Sequence, residues 1–160
     1  MHKPGKRTTK THPTFWISGG SGVFRREMWM KLKGMDEVLF PPFYWEDVDL
    51  SYRALKRGWR LLWEPKAAVE HEHESTNKIF NKKYKSRIQE RNQLLFIWKN
   101  ITSKNLRKKH KAGLTRQILK HPGYVRIYLM ALTKYRTAKK LRKIEKKESV
   151  VSDESILSKY

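Results

Sequence analysis

The 160-residue chain has no cysteine. That excludes disulfides and thiolate metal sites, and it suits a reducing compartment. No apolar run approaches the roughly 20 residues of a membrane-spanning helix. The first residues are basic, with no apolar stretch behind them, so they do not read as a secretory signal. Acids are scarce. There are 15 Asp and Glu against 37 Lys and Arg, a formal net charge of +22. Such an excess points to nucleic acid, an anionic membrane surface or a phosphate-rich ligand. Hydrophobic residues make up only 38% of the chain, enough for one domain with a modest core.

The scarcity of acids is uneven. Residues 13–77 hold 9 bases and 10 acids, residues 1–12 hold 4 bases and no acid, and residues 78–160 hold 24 bases and 5 acids. A neutral segment with basic flanks suggests two parts with different tasks.

Residues 1–14 lack apolar periodicity and read as a flexible basic arm. Phe15, Trp16 and Ile17 suggest a short buried strand, followed by a turn rich in glycine at Gly19, Gly20 and Gly22. Phe24, Met28, Trp29 and Leu32 fall at helical spacing, with Gly34 as C-cap. Pro41-Pro42 place a loop before the next helix, which starts near Glu46 or Asp47 and ends at Gly58. The stretch "WRLLWEPKAAVEHEHE" predicts one or two short strands broken at Pro65. A helix runs from about Lys82 to Lys99 with Ile88, Leu94, Leu95 and Trp98 as its stripe. A basic helical region follows over 103–120, broken by Gly113. One long helix then runs from Pro122 to about Lys147, and the remainder reads as a frayed tail.

The acids of "FYWEDVDLSYR" are the main chemical signal. A carboxylate held at a helix start beside a glycine-rich turn, as Asp47 is, can act as a general base towards a substrate hydroxyl. Glu46 could hold that hydroxyl or position Asp47, and Asp49 could cap the helix or pair with Arg53. The alternative is that all three carboxylates are caps. Asp47-Val48-Asp49 is also a literal D-x-D, but side chains at helix positions i and i+2 point about 200° apart and do not converge on one ion. His71 and His73 would share a face of a strand, as a two-ligand metal site or as a polar edge.

The order of these pieces resembles the C-terminal half of inverting family 2 glycosyltransferases of the rhamnosyl- and galactosyltransferase-like group. The resemblance is carried by S-G-G at Ser18–Gly20, R-R-E at Arg25–Glu27, G-M-D-E at Gly34–Glu37 and W-E-D-V-D-L at Trp45–Leu50. Y-R-A-L-K-R-G at Tyr52–Gly58, P-K-A-A-V at Pro65–Val69, His71 and the "ERNQL" of Glu90–Leu94 extend it. It covers residues 15–100. It implies an α/β fold that is the C-terminal part of a GT-A fold, with few short strands plus helices. It implies sugar transfer from a nucleotide-diphosphate donor to a carbohydrate or lipid-linked acceptor, as in cell-envelope synthesis. On this resemblance Asp47 is the catalytic base with Glu46 beside it. His71 ligates a divalent metal, Mn or Mg, that holds the diphosphate. Trp16, Ser18, Gly19, Gly20, Arg25 and Trp45 line the substrate pocket.

The family's N-terminal nucleotide-binding half, with its own D-x-D, has no counterpart here. The chain therefore reads as a fragment whose metal site and donor site would be completed by a separately encoded half. The expected organisation is a basic arm (1–14), the glycosyltransferase region (15–100), a basic helical extension (101–147) and a flexible tail (148–160). In the extension, Val125, Tyr128, Leu129 and Leu132 share a helix face among bases. That face either packs on the domain or lies on an anionic membrane, giving a cytoplasmic, peripheral location. A module for binding nucleic acid is the rival, with Trp59, Trp63 and Trp98 to stack bases. The separation of aromatics from bases counts against it.

Overall fold

The computed structural model describes residues 9–69 and 80–160. Among these residues the fold is mostly helical, with one two-stranded antiparallel sheet. Strand β1 (His12–Pro13) pairs with β2 (Leu62–Trp63). The helices are α1 (Arg26–Leu32), α2 (Glu46–Lys56), α3 (Lys82–Asn100), α4 (Lys104–Lys120), α5 (Val125–Leu132), α6 (Tyr135–Glu148) and α7 (Asp153–Leu157). A 3₁₀ turn at Pro122–Tyr124 precedes α5.

Local chemistry sets the helix starts. The side chains of Asn81, Ser103 and Ser152 accept from the amides of Tyr84, Leu106 and Ser155, satisfying donors that the first turns of α3, α4 and α7 leave open. Helix α2 begins without a side-chain cap. It has Glu46, Asp47 and Asp49 in its first turn and Arg53 and Lys56 in its last, both matched to the helix dipole.

Helices α2 and α3 form the centre. α3 packs on α2, α5 and α6, while α2 also touches α1 and α7. Leu39, Phe40, Leu50, Tyr52, Leu95, Phe96, Ile127, Ala131 and Ala138 are buried between them. Each large apolar side chain contributes about 1.5–3 kcal/mol by leaving water. Every residue of α2 from Asp49 to Lys56 is buried, charges included. Those charges are paired. Asp49 accepts from Arg53 Nε at 2.8 Å, from Lys99 Nζ at 2.8 Å and from Asn100 Nδ2 at 2.7 Å. Arg53 donates onward to the carbonyls of Leu32 and Gly34, and Lys99 to Asp36. One ionic cluster thus joins the end of α1, the following loop, α2 and α3.

A second cluster fixes α7. Asp153 Oδ1 accepts from Tyr52 Oη at 2.8 Å and Lys56 Nζ at 3.1 Å, and its Oδ2 accepts from the amides of Thr102 and Ser103 at 2.7 Å. The amides of Val150 and Val151 bond to the Lys56 carbonyl.

Several expectations need correction. Within the segment read as a flexible arm, His12 and Pro13 form a strand, and Thr14 N donates to the Leu61 carbonyl at 3.0 Å. Phe15–Ile17 are not a strand, because the Ile17 amide bonds to the Ser51 side chain instead of a neighbouring strand. α4 runs unbroken through Gly113, whose cost of about 1 kcal/mol does not outweigh a capped helix. The single helix expected over 122–147 is divided at Thr133–Lys134, where Lys134 Nζ reaches across to the carbonyls of Val38 and Leu39. The stretch 148–160 is no loose tail: Asp153 and Ile156 are buried.

Candidate functional site

The loop between α1 and α2 ends in two residues of positive φ, Tyr44 (72°) and Trp45 (79°), directly before Glu46. Non-glycine residues take that conformation only when their surroundings impose it. Here Asn92 of α3 imposes it. Its buried carboxamide nitrogen lies 2.7 Å from the Phe40 carbonyl, 2.9 Å from that of Phe43 and 2.9 Å from that of Tyr44. Arg91 holds the Asn92 oxygen, donating from Nε at 3.0 Å and Nη2 at 2.8 Å, and also bonds the Pro41 carbonyl. The Arg-Asn pair of "ERNQL" therefore sets where α2 starts and which way its first carboxylates face.

Asp47 is half-buried. Its Oδ2 accepts from the Gly19 amide at 3.3 Å, and its Oδ1 takes the neighbouring Val48 amide at 2.8 Å. Each carboxylate oxygen can accept a further proton donor. The glycine turn is held against α2 twice, through Gly19 to Asp47 and through Ile17 to Ser51. The Ser21 amide closes the turn onto the Ser18 carbonyl at 3.2 Å. At Gly22 a Cβ would sit 2.3 Å from Ile17 Cγ2 and 2.8 Å from the Ser18 oxygen, so only glycine fits.

Glu46 lies partly buried beside Asp47, and its Oε2 is buried without a hydrogen-bond partner. Burial raises its pKa, its own backbone amide opposes this, and the Asp47 charge raises it further. A protonated Glu46 would offer a hydroxyl donor next to the Asp47 acceptor.

The structure thus gathers Asp47, Glu46, Ser18, Gly19 and Gly20 around the start of α2. Trp45 turns its ring onto Phe96, 5.1 Å between centroids, so the core holds it. Trp16 is partly buried in the strand-free run leading into the turn. Arg25 is exposed at the N-cap of α1, where its carbonyl takes the Trp29 amide. His71 and His73 lie outside the described residues. Asp49 is confined to its cluster with Arg53, Lys99 and Asn100, so it and Asp47 occupy different surroundings. Among the described residues no group of three His, Asp or Glu could hold a metal ion. Asn92, Ser51 and Lys99 were not singled out from the sequence. Only the position of Asn92 within the "ERNQL" element hinted at its part.

The chain belongs to the glycosyltransferase-like family 2, whose model matches residues 6–88. Over 59 residues it is 41% identical to the N-acetylglucosaminyl-diphospho-decaprenol L-rhamnosyltransferases of two strains of Mycobacterium tuberculosis. That stretch is 37% of this chain but 19% of each relative, so the chain spans about a fifth of the curated relatives it matches. No solved structure matches the chain.

Proposed function

We propose that residues 9–69 and 80–100 form the acceptor side of a GT-A-type sugar-transfer site, with Asp47 as its general base. The observation that carries this reading is the Asp47 carboxylate, held at the start of α2 by the Gly19 amide at 3.3 Å. Those contacts fix the carboxylate and leave lone pairs for an incoming hydroxyl. Asp47 takes the hydroxyl proton as the acceptor oxygen attacks the sugar's anomeric carbon. The bond to the donor's diphosphate breaks on the opposite face, which inverts the centre. Glu46, its pKa raised by burial and by Asp47 against its own backbone amide, lies beside the base to steady the acceptor oxygen. Ser18, Gly19 and Gly20 shape the sugar pocket, with Trp16 and Arg25 on the segments that flank the turn.

The donor is a nucleotide-diphosphate sugar. By analogy with the named acceptor of the mycobacterial relatives, the acceptor is lipid-linked. The place of action is the cytoplasmic membrane face. The exposed Leu129 and Leu132, among the bases of the extension, support a peripheral contact. No helix among the described residues is long and apolar enough to cross a membrane. No step is assigned to a metal.

Asp47→Asn, made in protein that binds the donor and transfers the sugar, tests the reading. Transfer should fall ~10²–10⁴-fold while donor binding persists. Transfer at the parental rate overturns the assignment.

A further inference from the structure

A cavity of about 560 Å³ opens between α3, α4, α5 and α6, beyond the segment that matches the family. Its volume is that of a small-molecule site (~300–1,000 Å³). Ile97, Leu114, Leu132, Trp98, Tyr128 and Tyr135 supply its apolar wall. The rings are locked edge-on, with Tyr128 and Tyr135 each at 87° to Trp98 and centroids 6.0 and 5.4 Å away. Neither tyrosine stacks face to face on Trp98. An apolar wall of this kind suits a flexible hydrocarbon chain.

The charged members of the lining all suit an anion. Arg107, Lys111 and Arg142 are there, and no carboxylate is. Arg142 spends one donor on the Trp98 carbonyl at 3.3 Å, and no other acceptor among the described residues takes the rest of its guanidinium. No carboxylate among the described residues pairs with Arg107 or Lys111. His110 takes the Trp98 indole N–H at 3.2 Å, and burial keeps its pKa low, so the imidazole acts there as a neutral acceptor. The hydrocarbon surface runs on outside through the exposed Leu132 and Leu129.

We propose that this cavity binds a single-chain alkyl phosphate, with its tail along Leu114, Leu132 and Tyr128 and its phosphate held by Arg107, Lys111 and Arg142. The site is separate from Asp47, and its test reads binding, so it stands or falls independently of sugar transfer. Decyl phosphate, below its micelle concentration, should bind the full chain with one-to-one stoichiometry in titration calorimetry. Decyl maltoside, with the same tail and no charge, and inorganic phosphate, with the charge and no tail, should not. The double variant Arg107→Ala/Lys111→Ala should bind decyl phosphate about tenfold more weakly or worse. Leu132→Asp should do the same by obstructing the tail. Circular dichroism at the parental level would confirm that both variants are folded. Parental affinity in the double variant, or equal binding of decyl maltoside, would overturn the proposal. So would binding only to phosphatidylglycerol vesicles with no uptake of the monomeric phosphate, which would mark a flat electrostatic attraction.

Discussion

The Asn92 carboxamide nitrogen sits 2.9 Å from the carbonyl of Tyr44, two residues ahead of Glu46. With the Phe40 and Phe43 carbonyls it makes one side chain of α3 the anchor of the loop that launches α2. Asn92→Ala leaves these carbonyls without their donor in a buried setting. The expected loss is ~1–3 kcal/mol of stability, read as a lower urea midpoint. Unchanged unfolding would mean that the loop holds its own shape.

The glycine turn supports a contrast between two alanines. At Gly22 the added methyl meets Ile17 and the Ser18 oxygen at distances no real Cβ tolerates, whereas at Gly19 it meets the movable end of Met35 at 3.1 Å. Gly22→Ala should cost ~1–3 kcal/mol, and Gly19→Ala clearly less. Equal midpoints for the two variants would contradict the packing described for the turn.

Asp49 pairs with both Arg53 and Lys99 in a buried cluster. Asp49→Ala should therefore cost ~3–5 kcal/mol, since two cations lose a buried counter-charge. Adding Lys99→Met should recover part of that loss, giving a favourable coupling energy in a double-mutant cycle. Strict additivity would show that the two side chains do not share the cluster.

Acid should loosen the α2–α7 contact. Burial alone would raise the Asp153 pKa, but the Ser103 amide, the Lys56 charge and the Tyr52 hydroxyl outweigh it and hold the value below the ordinary 3.8. The stability this group contributes is complete above that ordinary value and is lost as pH falls through the depressed folded one. Asp36, lowered by Lys99 against the effect of its own burial, adds to the same fall. Asp153→Asn should flatten the acid limb of a stability-pH curve. A limb as steep as the parent's would assign it to other carboxylates.

Much of the helical skeleton was legible because its signals are local. Acids at the start of α2, Gly34 after α1 and the apolar stripe of α3 each act within a turn or two. The helix across Gly113 is not legible from the glycine alone, because the Ser103 cap and the rest of α4 outweigh its penalty of about 1 kcal/mol. The division at Lys134 and the docking of 148–160 depend on the Val38 and Leu39 carbonyls and on Tyr52 and Lys56, partners far away in the chain. Asp47 and Glu46 could be picked out as acids at a helix start. Their setting could not, because it depends on Asn92, Ser51 and the fold of the turn. The pairing of Asp49 with Arg53 was readable from its four-residue spacing. Its link to Lys99 was not.

The clasp between Tyr52 and Asp153 spans 101 positions of sequence. On the ribosome, the helix carrying Glu46 and Asp47 would emerge long before the residue that completes its hydrogen bonds. Until Asp153 clears the exit channel, Lys56 lacks the counter-ion it has in the native fold. Synthesis speed over the last basic helices, as well as the sequence itself, would then influence how much chain reaches the native state.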